Sequence, residues 1–150
     1  MATIKKFEDI EVWQKARQLC NLIYPLTLKG SFAHDYKLRD QINGSSGSVM
    51  NNIAEGFGRR GNKEFANFLS IAIGSCCEVQ SQLYRALDRK YIDNDEFKEC
   101  YDLTGTIILK SGSLINYLNK SEYTGKKYKD RTTNDKRQTT NDKQYNNLII

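Results

Sequence analysis

Apolar residues between positions 65 and 86 recur with alternating steps of four and three, and this spacing constrains the fold more than any other feature of the chain. Such steps follow one side of a helix that packs along a left-handed seam against other helices. The seam comprises Phe65, Leu69, Ala72, Cys76, Val79, Leu83 and Ala86. The spacing therefore predicts a long helix in an all-α protein.

Additional apolar residues widen the N-terminal half of this helix. They are Phe68, Ile71, Ile73 and Cys77. A seam between only two helices needs a narrower apolar surface, so we expect several neighbours to enclose this half.

A second seam with the same steps occupies the segment from 93 to 119. Its members are Phe97, Tyr101, Thr104, Ile108, Ser111, Ile115 and Leu118. Asp93 followed by Glu96 matches a capping box at the start of a helix. Only Tyr91 to Asn94 connect this segment to the preceding one, and a short connection makes two long helices antiparallel neighbours.

The first amphipathic segment begins after Phe7, with Asp9 as the predicted N-cap. Its apolar positions are Val12, Ala16, Leu19, Ile23 and Leu26. Pro25 cannot donate a backbone hydrogen bond, so we expect a kink or an end between Tyr24 and Leu28. Residues 30–35, which include His34, are predicted to form a loop.

The segment from about 35 to 57 contains the run Asn43-Gly-Ser-Ser-Gly-Ser48, which by itself is typical of a loop. The helical spacing of the flanking apolar residues continues through it, so we predict a helix. Two glycines in a helix cost about 2 kcal/mol. We expect close approach of another helix at Gly44, Gly47, Ser48 and Asn51 to offset that cost.

A helix-to-helix corner is predicted at Asn51 to Arg60. Gly56 and Gly58 are expected to take the left-handed conformation that ends a helix, and Asn62 to cap the next one. Glu55 stands at a helix C-terminus, where the dipole disfavours negative charge, so we expect a cationic or N–H partner for it. Asn52 is assigned to the corner as a hydrogen-bonding residue.

Together the segments predict an antiparallel up-down four-helix bundle in residues 1–119, with helices at roughly 9–28, 36–57, 62–90 and 93–119. Residues 120–150 are predicted to be a disordered or loosely ordered tail. This tail is polar and basic, and Thr132–Lys136 recurs in it as Thr139–Lys143. Such a composition buries too little apolar area to offset the entropy of ordering.

Charge is unevenly distributed along the chain. Residues 1–119 carry 15 basic and 14 acidic side chains, whereas residues 120–150 carry eight and four. No run of about 18 apolar residues is present, and the N-terminus has no signal-peptide core, so we expect no membrane span and a cytoplasmic location.

The residue sets that catalysis needs are missing. His34 is the only histidine, the four cysteines lack metal-ligand spacing, and no nucleophile or phosphate-loop motif occurs. We therefore predict no enzymatic activity, no metal and no cofactor. The cysteines are interpreted as reduced, buried thiols.

The densest basic cluster of the predicted bundle is Arg59, Arg60 and Lys63, beside a helix N-terminus. Arginine there can grip phosphate, although a solvated turn explains the cluster equally well. Lys37 with Arg39 is a weaker candidate for nucleic-acid binding. Arg85, Arg89 and Lys90 form another weak patch, for which solvation of a helix face is the favoured explanation.

Several motifs resemble the four-helix-bundle proteins encoded in 23S ribosomal RNA intervening sequences. They are Phe7–Ala16, Gln41-Ile42, Asn52–Arg60, Lys63–Phe65, Phe68–Ala72, Gly74-Ser75 and Glu78. That family is similar in fold to the accessory variability determinant proteins of diversity-generating retroelements. The resemblance covers residues 7 to about 118 and implies a non-enzymatic bundle that forms a ring-shaped homo-oligomer, a pentamer.

The resemblance also implies partners. The accessory retroelement proteins bind nucleic acid and a reverse transcriptase through a basic surface. The family often has basic residues directly after Gln41-Ile42, where this chain has Asn43 and Gly44.

Two hypotheses follow from the sequence. The first is a non-catalytic oligomer that binds structured RNA, or another nucleic-acid complex, through repeated basic patches. The second is a ring-shaped scaffold that docks a protein such as a reverse transcriptase and does not touch nucleic acid itself.

Overall fold

The computed structural model describes the backbone of residues 4–130 and the side chains of residues 4–121. A 3-10 turn at Phe7–Asp9 precedes five helices. The helices are α1 (Glu11–Leu26), α2 (Gly30–His34), α3 (Tyr36–Gly58), α4 (Asn62–Asp88) and α5 (Asn94–Asp130).

The four long helices form an up-down bundle in which each packs mainly on its neighbours in the sequence. Helix α3 packs between α1 and α4, and α5 closes the bundle by packing on both α4 and α1. The short helix α2 lies against α3. The predicted fold class is confirmed.

The seam of α4 is also confirmed, because all seven of its predicted positions are buried. The single chain does not by itself enclose the N-terminal half of α4. Ile71 is 52% exposed and Cys77 is exposed, while Phe68 and Ile73 are half-buried. Among the described residues, α4 packs mainly on α3 and α5, so its outer side stays open.

The seam of α5 is rotated slightly from the prediction. Thr104, Ser111 and Leu118 are buried as expected. The remaining buried positions are Cys100, Ile107 and Leu114, whereas their predicted counterparts Tyr101, Ile108 and Ile115 are half-buried. Each half-buried residue directly follows a buried one in the sequence, as in Ile107 and Ile108. Both members of each pair suit a core position, so the spacing alone does not determine which of the two is buried.

The ends of α1 and α5 show which capping signals operate. The capping box is confirmed, because the Asp93 N–H donates to Glu96 Oε1 at 3.0 Å and the Glu96 N–H donates to Asp93 Oδ1 at 2.8 Å. Asp9 does not cap α1, because it lies within the 3-10 turn and Ile10 is the N-cap residue. Helix α1 ends at Leu26, directly after Pro25, inside the predicted interval.

The predicted loop at 30–35 is mostly the helix α2. Gly30 enters it with a left-handed φ of 51°, and Phe32 anchors it in the core at 1% exposure. The Phe32 ring stacks on Tyr91 with 5.2 Å between centroids. This buried contact between distant segments stabilises a helix of five residues, which the local sequence does not reveal.

Helix α3 passes unbroken through the Gly/Ser run, as predicted. The predicted close approach of another helix is found at Ser48, whose Oγ lies 3.0 Å from Ser75 Oγ of α4, but not at the two glycines. A Cβ added at Gly44 or Gly47 would meet no atom within 4 Å. The close approach of α3 to α4 at a glycine is instead at Gly56, where an added Cβ would lie 2.6 Å from Phe68 Cβ. Ser45 and Ser46 are the small residues of the run that are buried.

Helix α5 continues to Asp130, beyond the predicted end at 119. Extending an existing helix adds one hydrogen bond per residue without new nucleation, and residues 120–130 contain no proline. The hydrogen bond from Gln80 to Thr104 sets the register of α4 against the antiparallel α5. In this register, residue 122 of α5 lies level with Asn62, the first residue of α4. The helix therefore runs about 12 Å past that level. Residues 131–150 of the predicted tail lie outside the described residues.

The four cysteines are not joined by disulfides, and only Cys76 and Cys100 are buried. Burial raises the pKa of Cys76 to about 12 and that of Cys100 to about 11. Cys20 is half-buried and Cys77 is exposed, which corrects the interpretation that all four are buried.

Within the described residues, none of the helices is both long and apolar enough to cross a bilayer. The same part of the chain holds no group of three or more histidine, cysteine or carboxylate side chains arranged to bind a metal ion.

Candidate nucleic-acid interface

The corner between α3 and α4 is built on tight packing of aromatic residues around Gly56. Gly56 itself is buried, and Phe65 and Phe68 of α4 cover it. The Phe57 and Phe65 rings meet edge to face with 6.0 Å between centroids. This packing fixes where the turn leaves α3 and where α4 begins.

The conformation of the turn differs from the prediction. Gly56 and Gly58 both lie within α3, and Arg60 is the residue in the left-handed region, with φ of 61°. Asn62 is not the cap, because Gly61 holds the N-cap position. The tight packing at Gly56 carries α3 on to Gly58, so the chain reverses later than the glycines suggest.

The N-terminus of α4 is open. Gly61 has no side chain with which to cap it, and no side chain in residues 4–121 accepts a hydrogen bond from the N–H groups of residues 62–64. The N-terminus of a helix carries partial positive charge and unsatisfied donors, which favour an anion.

The three predicted basic residues of this corner differ in whether they form an ion pair. The Arg59 guanidinium donates to Glu55 Oε1 at 2.9 Å and lies 5.5 Å from the centre of the Phe68 ring. The hydrogen bond to Glu55, and then the charge of Glu55, raise the pKa of Arg59. Arg60 and Lys63 are exposed, and no described carboxylate lies within 4.0 Å of either. We call Arg59, Arg60 and Lys63 the corner cluster.

Glu55 therefore has the cationic partner that the sequence indicated. Asn52 acts one turn away from the corner, where its amide donates to the Ser48 carbonyl at 2.8 Å and to Ser48 Oγ at 2.9 Å. Ser48 Oγ in turn shares a 3.0 Å hydrogen bond with Ser75 Oγ of α4. Asn52 thus supports the α3–α4 contact and not the turn.

Lys37 and Arg39 are not brought together. Side chains two residues apart on a helix point away from each other. The Arg39 guanidinium donates to the Ala33 carbonyl at 3.0 Å and pairs with Asp40 at 3.2 Å. Lys37 is exposed and lies one turn before Gln41, on the side of α3 that borders α4.

Two arginines from the end of α4 instead contact α3 at Asp35 and Gln41, on either side of Lys37 along the chain. Arg85 donates to Gln41 Oε1 at 3.0 Å, and Arg89 donates to Asp35 Oδ2 at 2.7 Å. We call Lys37, Arg85 and Arg89 the end cluster. Sequence reasoning treated these residues as separate patches. Residues at equal distances from the turn of an antiparallel pair lie side by side, so the predicted corner near residue 60 already held this signal.

Asp35 fixes the end cluster to the fold. Its Oδ1 accepts a hydrogen bond from the Leu38 N–H at 3.2 Å, and its Oδ2 accepts one from the Tyr91 hydroxyl at 2.9 Å in addition to that of Arg89. The bonds from Leu38 and Tyr91, followed by Arg89, hold the pKa of Asp35 below its usual range. Tyr91 shows the opposite effect, since its bond to Asp35 raises its pKa.

Comparison with known proteins identifies relatives of this bundle. The sequence model of the 23S rRNA-intervening sequence protein family matches residues 8–112. A solved structure of a protein with unknown function from the S23 ribosomal protein family of Bacteroides thetaiotaomicron is similar, with a TM-score of 0.64 and 21% identity. The similarity covers 69% of this chain and 97% of that one. No curated protein matches the sequence significantly.

Proposed function

The chain belongs to the 23S rRNA-intervening sequence protein family, and from this membership and the corner cluster we propose that it is a non-catalytic helical bundle that binds structured RNA. The family name associates its members with ribosomal RNA genes, which makes RNA the favoured ligand class. The bound groups are phosphates, because cations and backbone N–H groups are the donors that the corner offers.

The observation that carries this proposal is the position of Arg60 and Lys63 beside the open N-terminus of α4. Two cations without a carboxylate within 4.0 Å flank three backbone donors, which suits a phosphate, although the Glu64 carboxylate in the first turn of α4 offsets part of the charge. Arg59 contributes less free charge because Glu55 pairs with it. Affinity per corner is therefore modest, and repetition in an oligomer or the basic residues after 119 raise it.

A salt titration with a labelled RNA hairpin tests the proposal. Three phosphate contacts predict about a 40-fold loss of affinity between 50 and 200 mM salt. The variant Arg60→Gln/Lys63→Gln should bind more weakly and show a salt slope smaller by about two. Arg17→Gln on the exposed side of α1 is the control for loss of a surface cation. Equal binding by the double variant and the wild type would refute the corner as the site.

We also propose that the protein acts as a homo-oligomer, for which the resemblance described above implies a pentameric ring. Support comes from large apolar side chains on the surface of the single chain, with Ile71 at 52% and Leu109 at 75% exposure. Light scattering after size-exclusion chromatography at micromolar concentration should give a multiple of 17.3 kDa. A monomer mass would contradict this proposal.

The second candidate function is a scaffold that docks a partner protein, such as a reverse transcriptase. It is favoured by the pairing of Arg59 with Glu55 and of Arg89 with Asp35, which reduces the free charge of both clusters. Purification of the tagged protein from its native host, with and without nuclease, separates the two functions. A protein partner that survives nuclease supports the scaffold, whereas nuclease-sensitive RNA supports direct binding.

A further inference from the structure

The corner cluster and the end cluster lie at opposite ends of one face of the bundle. Lys37 in the first turn of α3 and Arg59, the C-cap residue directly after it, are 22 residues apart, and Lys63 and Arg85 are 22 residues apart on α4. Because 22 residues are close to six helical turns, each pair points to nearly the same side of its helix. At 1.5 Å per residue, the separation is about 33 Å on both helices.

The surface between the two clusters is low, and the charged side chains that line its groove are Asp40, Glu78 and Arg85. Small residues of both helices line a shallow groove of about 480 Å³ there, among them Gly44, Ser48, Ser75 and Ser81. A Cβ added at Gly44 would meet nothing within 4 Å, so no side chain rises from the floor at that point. A long rigid ligand can therefore enter the groove between the end cluster and the middle of this face.

We propose that the α3–α4 face binds one turn of a nucleic-acid double helix lengthwise, with one phosphate at each cluster. The inference rests on the proposed function and adds the shape of the ligand to it. One turn of B-form DNA measures about 34–36 Å, which matches the separation of the clusters, so this match of lengths applies to a DNA duplex. Proteins that bind double-stranded RNA likewise contact successive grooves of one duplex.

Lys37 and Lys63 carry the two ends of this arrangement. Both are exposed, and within the described part of the chain neither has a carboxylate within 4.0 Å. Arg59, Arg85 and Arg89 each already donate a hydrogen bond within the chain, so they add positive potential while holding the clusters in place.

Glu78 offers an independent check because it is an exposed carboxylate in the groove between the clusters. Its only hydrogen bond in the described structure is a long one, 3.3 Å from Ser45 Oγ. A duplex that spans both clusters passes over this charge, which repels it. A ligand held at the corner alone stays about 22 Å away, beyond the screening length of about 8 Å at physiological salt.

The first experiment compares duplexes of about 8 and about 16 base pairs, made of RNA and of DNA, against the full-length protein. At 3.4 Å per base pair, the short DNA spans about 27 Å and cannot reach both clusters, whereas the long one spans about 54 Å. The long duplex should show the steeper salt dependence. Lys37→Gln and Lys63→Gln should each reduce its slope by about one. The type of duplex that binds with the higher affinity, RNA or DNA, identifies the ligand.

The outcomes separate this inference from the proposed function. If Lys63→Gln weakens binding but Lys37→Gln does not, and the salt slope is the same for both lengths, the corner binds phosphate and the two-ended duplex is refuted. If neither variant weakens binding, the proposed function fails with it.

The second experiment replaces the repelling charge. Glu78→Gln should tighten binding of the long duplex about threefold, the effect of two like charges about 6 Å apart in water. Glu99→Gln makes the same change of charge on the exposed surface of α5, away from the α3–α4 face, and should leave the affinity unchanged. Equal affinities for these two variants would overturn the proposal.

Discussion

Replacement of Gly56 by alanine tests whether the corner is as tightly packed as the structure shows. The new Cβ would lie 2.6 Å from Phe68 Cβ and 3.2 Å from Phe65 Cδ1. Phe68 Cβ is attached directly to the backbone of α4, so it moves only if the helix moves. Overpacking of this kind costs about 1–3 kcal/mol. The helix propensity of alanine returns about 1 kcal/mol, which leaves a net loss of up to about 2 kcal/mol.

Gly44→Ala is the matched control, because it lies in the same helix and its added Cβ meets nothing within 4 Å. This variant keeps only the gain of about 1 kcal/mol in helix propensity. Urea unfolding followed by circular dichroism should therefore separate the two variants by about 1–3 kcal/mol, with the wild type between them or near Gly56→Ala. Equal stability of the two alanine variants would refute the close approach at Gly56.

Three further predictions concern buried hydrogen bonds, pH and thiols. Thr104→Val should destabilise the bundle by about 1–3 kcal/mol in urea unfolding, because Gln80 loses its hydrogen-bond acceptor. Ser111→Ala should not destabilise it, because the buried Ser111 hydroxyl has no hydrogen-bond partner among the described residues. Asp35→Asn should lower the melting temperature at pH 7. Since the pKa of Asp35 is depressed in the folded protein, its contribution to stability is present at neutral pH and is lost as the pH falls below about 4. The melting temperatures of the wild type and the variant should therefore converge at low pH, and a difference that stays constant with pH would contradict this role. A maleimide followed by mass spectrometry should modify Cys77 of the native protein first, and faster labelling of a buried cysteine would argue against the α4 seam.

The periodic part of the fold was predictable because burial on one side of a helix dictates the residue spacing. The seam of α4 was right at every position from Phe65 to Ala86. Periodicity was less informative on α5, where Tyr101, Ile108 and Ile115 are apolar neighbours of the residues that are buried. Which neighbour points inward depends on how α4 and α1 pack on α5, and this is a property of the assembled bundle.

The turns were predicted poorly because their backbone conformations are set by distant contacts. The glycines at 56 and 58 suggested that α3 ends at one of them. In the structure Gly56 packs against Phe68 inside α3, and the residue with the left-handed conformation is Arg60. Similarly, the stacking of Phe32 on Tyr91 turns the predicted loop at 30–35 into a helix. The residues of either segment alone do not indicate these contacts, because the partners lie elsewhere in the sequence.

Part of the candidate interface was accessible from the sequence. Arg59, Arg60 and Lys63 are neighbours along the chain, so their grouping needed only a turn. The joining of Lys37 with Arg85 and Arg89 required the register of α3 against α4, and the separation of Lys37 from Arg39 required only the helical geometry of their two-residue spacing.

The continuation of α5 past the level where α4 begins has a practical consequence for how the protein is handled. A backbone helix of about 12 Å acts as a built-in spacer between the four-helix body and whatever follows Asp130. Coupling the molecule to a sensor chip through amines would consume Lys37 and Lys63 themselves, whereas attachment through the carboxyl end keeps both lysines free for the analyte.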